Sequence, residues 1–384
     1  LILKNILFTV ERIGPYHNAR FNIVSELNKI NLNVLETDSL SNRYPWEENL
    51  NKSYKVFKLS NKNKINSRFQ LKKEVSNIIE KSSPDVIYIS GWDEIVSNCL
   101  LFICQLRKIP IVIFSDSRYK DSKRKIFLEF LKKNLLKGCS SAIVAGKESE
   151  NYLIKLGFEK KNIFKPYNVV DNKYFLNKKN NKNLKNYILC ISRFLKRKNH
   201  LKLLRAFDSY KKQGGDLNLK LVGNGPEKKN IIHAIDKLQF ASNVSIETWK
   251  DISEIKELYS NAKVFVLLST NDQWGLVINE AMASSLPCIV SNECGCFIDL
   301  IKDKNTGWGV DPKNENQLTN IFHQIDKTGE KEFIEKQNNC LKIINDYSLE
   351  KFSQAVQDSA YFSLKKSKFS VLSLITAYLL FLFK

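Results

Sequence analysis

The stretch Val264-Phe-Val-Leu-Leu-Ser-Thr-Asn-Asp-Gln-Trp-Gly-Leu-Val-Ile-Asn-Glu-Ala-Met-Ala-Ser-Ser-Leu-Pro-Cys-Ile-Val290 decides the fold. An apolar run, Val264–Leu268, enters a polar loop that ends at Gly275. A helical pattern over Val277–Ser285 then carries Glu280, and a second apolar run, Cys288–Val290, follows Pro287. Strand, helix and strand with near-continuous apolar strands are the mark of a parallel sheet covered on both faces. The same stretch sets out an acid in the loop (Asp272), backbone N–H groups at a helix start (Gly275, Leu276, Val277) and an acid one turn inside that helix (Glu280). A ligand carrying both hydroxyl groups and a diphosphate, as a nucleotide sugar does, can use all three. The plainer alternative makes Asp272 a helix cap and Glu280 a solvated helix residue.

Working outward, the alternation continues in both directions. Strand-like runs at 188–192, 217–222 and 244–247 alternate with helical patterns at 201–212 and 228–238. Further upstream, strands are expected at 6–10, 33–35, 86–89, 111–114 and 142–145, with helices at 18–30 and 96–106. The opening run Leu1–Val10 is broken by Lys4 and closed by Glu11, and fits a first buried strand better than a secretory segment. At 384 residues the chain is long for one core. The polar, aperiodic stretch after Leu176 is the best boundary. The expected organisation is a Rossmann-like domain over 1–176, a linker over 177–186, a second such domain over 187–345, and C-terminal helices with an apolar tail over 346–384. The fold class is therefore α/β, with two doubly wound parallel sheets facing across a cleft and ligands beyond the carboxyl ends of the strands.

Formal net charge is +21, from 61 Lys and Arg against 40 Asp and Glu. That field favours a polyanion or an anionic membrane surface, and lysines spread over solvated faces account for it equally well. No nucleic-acid module with interleaved aromatics is visible, so no nucleic-acid partner is expected. Eight cysteines occur without any C-x-x-C pair, most of them in apolar runs, and read as reduced core residues of a cytosolic protein.

Four further places can carry chemistry. Ile191-Ser-Arg-Phe-Leu-Lys-Arg-Lys-Asn-His200 puts four cations after a strand end, which suits a diphosphate or is an ordinary basic loop. Gly223-Asn-Gly-Pro-Glu227 follows a strand and reads first as a tight turn. Arg12-Ile-Gly-Pro-Tyr-His-Asn-Ala-Arg20 opens a helix: Gly14 permits close approach of a phosphate and His17 and Arg20 can point into the cleft, or the segment is a capping turn. Ser115-Asp-Ser-Arg118 ends a strand and offers Asp116 or Arg118. His200, His233 and His323 sit in helical or basic contexts and read as structural or solvated. No Asp-x-Asp occurs, so no site for a metal-bridged diphosphate is signalled.

The 264–290 stretch resembles the C-terminal signature of glycosyltransferase family 4, the group 1 transferases of GT-B fold. In that signature a Glu-x7-Glu pair straddles a Phe-Gly-Leu, and a Glu-Ala-Met-Ala helix leads to Gly-x-Pro. Glu-Ala-Met-Ala is intact at 280–283 and the glycine is Gly275. Asp272 stands at the first glutamate, Trp274 at the Phe, and Ser285 at the glycine before Leu286-Pro287. The resemblance implies that Glu280 holds the donor ribose, that Asp272 faces the donor sugar, and that Gly275, Leu276 and Val277 offer backbone N–H groups. The family's Gly-Arg-Leu-x3-Lys pattern falls on Arg193 and Lys198, which would neutralise the leaving diphosphate. Its Gly-x-Gly-Pro turn falls on Gly223 and Gly225, and its first-domain glycine loop on Gly14. A histidine near the reacting carbon in the family has Asp116 or Arg118 in its place here, with His17 a further candidate.

The resemblance implies a retaining, metal-independent transferase taking its sugar from a UDP-, GDP- or ADP-sugar. The acceptor would be a lipid-linked glycan of the kind used in bacterial surface polysaccharide or lipopolysaccharide. The tail, Lys365-Lys-Ser-Lys368 followed by fifteen mostly apolar residues, is too short to span a bilayer. It suits shallow insertion into an anionic surface or a buried last helix. The expected location is cytoplasmic, peripheral on the inner face of the plasma membrane. Two other readings stand beside this one: another GT-B-type enzyme such as a nucleotide-sugar epimerase, or a non-enzymatic basic binding protein.

Overall fold

The computed structural model describes residues 5–27, 30–38, 50–60, 67–176, 186–248 and 251–383. The linker expected at 177–186 lies outside them except for its last residue. The chain divides into two compact units. One runs to Val169 and resumes at Leu349; the other is Val170–Ser348.

In chain order the first unit contains β1 (Asn5–Val10), α1 (Pro15–Ser25), β2 (Asn31–Glu36), β3 (Lys55–Lys58), α2 (Arg68–Ser82), β4 (Val86–Ser90), α3 (Ile95–Leu106), β5 (Ile111–Ser115), α4 (Ile126–Leu136), β6 (Ser141–Val144), α5 (Lys147–Lys155) and β7 (Ile163–Phe164). Its sheet has the order β3-β2-β1-β4-β5-β6-β7, and β1 pairs parallel with both β2 and β4. The central strands are Val- and Ile-rich and buried along nearly their whole length, as strands covered on both faces must be. α1 starts three residues before the expected position. Pro15 occupies its first turn, where a missing N–H costs nothing, and Gly14 is the N-cap.

The second unit contains α6 (Asn172–Phe175), β8 (Tyr187–Ile191), α7 (His200–Lys212), β9 (Asn218–Val222), α8 (Lys228–Asp236), β10 (Val244–Glu247), α9 (Ile252–Asn261), β11 (Val264–Leu267), α10 (Leu276–Ala283), β12 (Cys288–Ser291), β13 (Gly307–Val310), α11 (Glu315–Lys327) and α12 (Glu330–Ile344). The sheet order β10-β9-β8-β11-β12-β13 reverses direction between β8 and β11. Those two strands are parallel neighbours, with Val264 beside Ile188. The loops leaving their carboxyl ends therefore lie side by side at the topological switch point, where doubly wound sheets bind ligands. The expectation of two doubly wound parallel-sheet domains holds.

The chain then returns to the first unit as α13 (Leu349–Lys365) and α14 (Val371–Phe383). α13 docks through small polar residues: the Tyr88 hydroxyl donates to the Val356 carbonyl at 2.6 Å, and Ser141 and Ser363 hydroxyls meet at 2.8 Å. α14 packs on α3 and α4. The reason lies in α3, which is apolar on all sides and needs a cover on every face. Ala377 and Phe381 of α14 join the core around α3, and Gln105 fastens the start of α14 by accepting from the Ser370 N–H at 3.0 Å. Burying Phe381 alone is worth roughly 2–3 kcal/mol. The apolar tail thus has one face in the core, while Leu372, Ile375 and Leu379 remain exposed. Among the described residues no helix is long and apolar enough to cross a membrane.

Candidate functional site

The site is built on the second domain's switch point. Between β8 and α7 the chain carries Arg193, Lys196, Arg197 and Lys198; between β11 and α10 it carries Ser269 to Gly275. The two loops are latched together by one backbone bond and one from a side chain. The Thr270 N–H donates to the Arg197 carbonyl at 2.8 Å, and the Arg197 guanidinium donates back to the Asn271 carbonyl at 2.9 Å. Across this latch the Lys198 ammonium lies 2.5 Å from the Asp272 carboxylate, both nearly buried, and Arg197 approaches the same carboxylate at 3.8 Å. The Ser269 hydroxyl donates to Asp272 at 3.4 Å. Lys198 and Asp272 are 74 residues apart in the chain. Arg193, half-buried, stands on the same loop as Lys198.

Gly223 and Gly225 hold that loop from behind. Both take φ near +154°, and a Cβ would fall 2.0 Å from the Ser192 carbonyl at Gly223 and 2.6 Å from the Phe194 carbonyl at Gly225. The missing side chains let the turn close on the cation loop, with the Phe194 N–H donating to the Asn224 carbonyl at 2.8 Å. The structure places these glycines as supports for the loop carrying Arg193.

Gly275 is the N-cap of α10 at φ +103°, in the left-handed region, and a Cβ there would meet Leu267 at 2.9 Å. Leu276 and Val277 follow, half-exposed, with the unpaired-in-helix amides of a first turn. Trp274, at the family's Phe position, is a core residue whose indole N–H donates to Asn279 at 2.8 Å. Ser285, at the family's Gly position, adopts φ +61° all the same, so the backbone keeps the conformation that favours glycine. Its hydroxyl is anchored to the Gln337 carbonyl at 3.2 Å.

Glu280 is 3% exposed, which removes the alternative of a solvated helix residue. One of its oxygens, Oε2, accepts from the Tyr259 hydroxyl at 2.7 Å. Tyr259 lies in α9, is itself buried, and has its ring against Phe175 and Phe265. Sequence reasoning missed this partner. No spacing rule links position 259 to 280, because the contact depends on how α9 and α10 flank β11.

His200 opens α7, buried, with its Nε2 2.9 Å from the Ser192 hydroxyl. Burial and then the Lys198 ammonium push its pKa from 6.5 down to about 4. The unfolded chain therefore takes up a proton between about pH 6.5 and 4 that the native state does not. Stability falls as the pH drops through that window and levels off below it. Melting temperatures measured from pH 7 to 4 should show this decline, and His200→Gln should make it shallower; an identical slope in the variant refutes the assignment.

In the first domain Gly14 caps α1, and its N–H meets His17 Nδ1 at 3.4 Å, the arrangement of a capping turn. Burial and the nearby Arg20 hold the His17 imidazole down at about 3, so it is neutral near pH 7. Arg20 is buried and donates to the carbonyls of Tyr16 and Tyr167 at 3.1 and 3.2 Å, a structural use of its guanidinium. Asp116 follows β5, half-buried. Arg118 is 1% exposed and bound by Asp121 at 2.7 Å and Glu148 at 3.0 Å. All eight cysteines are buried and unpaired with one another.

Comparison with known proteins bears on the second domain most directly. A family model for glycosyl transferases group 1 matches residues 172–340. The N-acetyl-alpha-D-glucosaminyl L-malate synthase of Bacillus anthracis is 29% identical over 156 residues, 38% of this chain and 40% of that protein. The alpha-monoglucosyldiacylglycerol synthase of Acholeplasma laidlawii is 27% identical over 135 residues, 35% of this chain and 33% of that protein. The similarity spans less than half the length of either relative. Among solved structures, Anabaena HepE in complex with UDP shares the fold at a TM-score of 0.71 and 16% identity, over 92% of this chain and 98% of that one. Residues 172–340 thus match the model of the group 1 glycosyltransferases, the family that the 264–290 stretch resembles.

Proposed function

We propose that the protein transfers a sugar, with retention, from a nucleoside diphosphate sugar to a glycan or lipid-linked acceptor. The observation that carries this is the pairing of Lys198 with Asp272 across two latched loops at the sheet's switch point, beside the amides of Gly275, Leu276 and Val277. Glu280 binds the ribose hydroxyls. Arg193 and Lys198 take the diphosphate, bidentately and as a point charge respectively, and meet its growing charge with side chains in place of a bridging metal ion. Asp272 reaches the donor sugar from Lys198. In the reaction the bond between the sugar's anomeric carbon and the β-phosphate oxygen breaks. The acceptor oxygen attacks from the same face, and its proton passes to the departing phosphate. Such a mechanism needs no side-chain nucleophile.

The names of the relatives support a small polar or lipid acceptor, and the UDP held by HepE makes UDP-sugars the first donors to try. A thermal-shift screen across UDP-, GDP- and ADP-sugars tests the reading. A donor at a hundred times its Kd adds about 2.7 kcal/mol to stability. If none of the three classes raises the melting temperature, the reading is wrong.

Tyr259 should then act as a positioning residue for Glu280. Tyr259→Phe keeps the ring in the core and removes one hydrogen bond to a charged group, about 1.5 kcal/mol. The expected outcome is nucleotide binding weakened about tenfold, equally for UDP and UDP-sugar, with turnover at saturation little changed. A loss confined to the melting temperature would show a structural role only.

A further inference from the structure

Among the described residues, the first domain carries a group of apolar side chains that remain exposed. α4 begins with Ile126, Phe127 and Leu128, and Phe130 follows; Ile126 is 91% exposed, Phe127 68% and Phe130 58%. α14, which packs on α4, presents Leu372, Ile375 and Leu379 outward. Exposed apolar groups of this size mark interaction surfaces.

Two further observations identify what the surface meets. The first is charge. The segment 119–137 holds seven Lys and Arg against two acids, and 365–383 holds three Lys and no acid. Both acids are engaged internally: Asp121 binds Arg118 at 2.7 Å, and Glu129 binds Lys132 at 3.0 Å. Lys123 and Lys125 come just before Ile126 in the chain and Lys365 and Lys366 just before α14, and all four are exposed. The second is rigidity. Arg124 lies 4.4 Å over the Tyr152 ring and donates to the Tyr119 carbonyl at 2.6 Å, while the Tyr152 hydroxyl is 2.9 Å from Glu129. This brace fixes the chain just before α4, so Ile126 and Phe127 are held away from the core.

We propose that the first turn of α4 and the outer face of α14 form one docking surface for an anionic lipid monolayer. Ile126, Phe127 and Phe130 enter the acyl boundary, and the four lysines meet the headgroups. α14, at 13 residues, is about 20 Å long and cannot span a hydrocarbon core of about 30 Å, so it lies in the interface with its inner face still packed on α3. The proposal extends the lipid-acceptor part of the functional reading and does not depend on sugar transfer.

Removing the tail is a poor test, because Ala377 and Phe381 belong to the core. The full chain is instead sedimented with vesicles of phosphatidylcholine alone and with about a third phosphatidylglycerol. Wild type should pellet with the anionic vesicles, less so as salt rises. Phe127→Ser with Phe130→Ser, which leaves every charge in place, should lower the partition at least tenfold at an unchanged melting temperature. Lys123→Glu with Lys125→Glu should lower it on anionic vesicles only. The proposal is overturned if wild type does not pellet, or if the serine variant pellets like wild type. Competition by RNA together with an indifferent serine variant would mark a general polyanion surface and overturn it too. Stabilisation by nucleotide sugars is read on the same variants and should be unaltered. A failure of docking therefore stays separate from a failure of the transferase reading.

Discussion

Glu280→Gln is expected to lower kcat/KM for the nucleotide-sugar donor about a hundredfold, and to weaken binding of the free nucleotide by a similar factor. A buried carboxylate that accepts from two ribose hydroxyls contributes roughly 1.5 kcal/mol per charge-assisted bond, and glutamine keeps the shape while losing the charge. Its carbonyl can still accept from Tyr259, which now donates to Glu280 Oε2 at 2.7 Å, so the fold should survive. Glu280→Ala removes that partner as well and leaves the Tyr259 hydroxyl with the longer bond to the Val277 carbonyl at 3.4 Å, which costs about 1 kcal/mol more in stability. Titration calorimetry with UDP and the cognate sugar nucleotide, alongside thermal melts, separates the two effects. Wild-type nucleotide affinity in the glutamine variant would remove Glu280 from the site.

Lys198→Ala should lower kcat by about 10²–10³-fold, the usual consequence of deleting one preorganised group aimed at developing charge. It also deprives the nearly buried Asp272 of its 2.5 Å partner, so part of the loss can be structural. Lys198→Ala with Asp272→Asn removes both charges. The double variant should recover the melting temperature while kcat stays low. If kcat recovers with it, the lysine serves the loop and not the diphosphate.

The α/β architecture was legible because most strands are short, Val- and Ile-rich and buried on both faces, and such strands leave continuous apolar runs. β3 was not read: Lys55-Val-Phe-Lys58 has two apolar residues between lysines, and as the outermost strand it needs no more. α2, α4 and α5 were missed for a related reason. Each carries lysines on an exposed face or an exposed apolar tip, which blurs a 3.6-residue pattern. In the site, the cation loop, the acid and the helix start were each visible as local motifs. Their meeting was not. Lys198 reaches Asp272 only because β8 and β11 are neighbours, and the Thr270 N–H to Arg197 carbonyl half of the latch is a backbone contact that side-chain identity cannot encode. Reading 369–383 posed insertion against burial. The structure buries one face of α14 through Ala377 and Phe381 and leaves Leu372, Ile375 and Leu379 exposed.

The return of the chain to its first unit also governs the order in which the protein can fold. Residues up to Val169 leave the ribosome first, yet the core around α3 lacks Ala377 and Phe381 until more than 200 further residues have been made. The unit of Val170–Ser348 is continuous in sequence and can complete itself in the meantime. Synthesis from the N-terminus ordinarily lets the first domain fold first. Here the middle of the chain can be native while the beginning still waits with α3 uncovered, and that interval is when the newborn protein has most need of a chaperone.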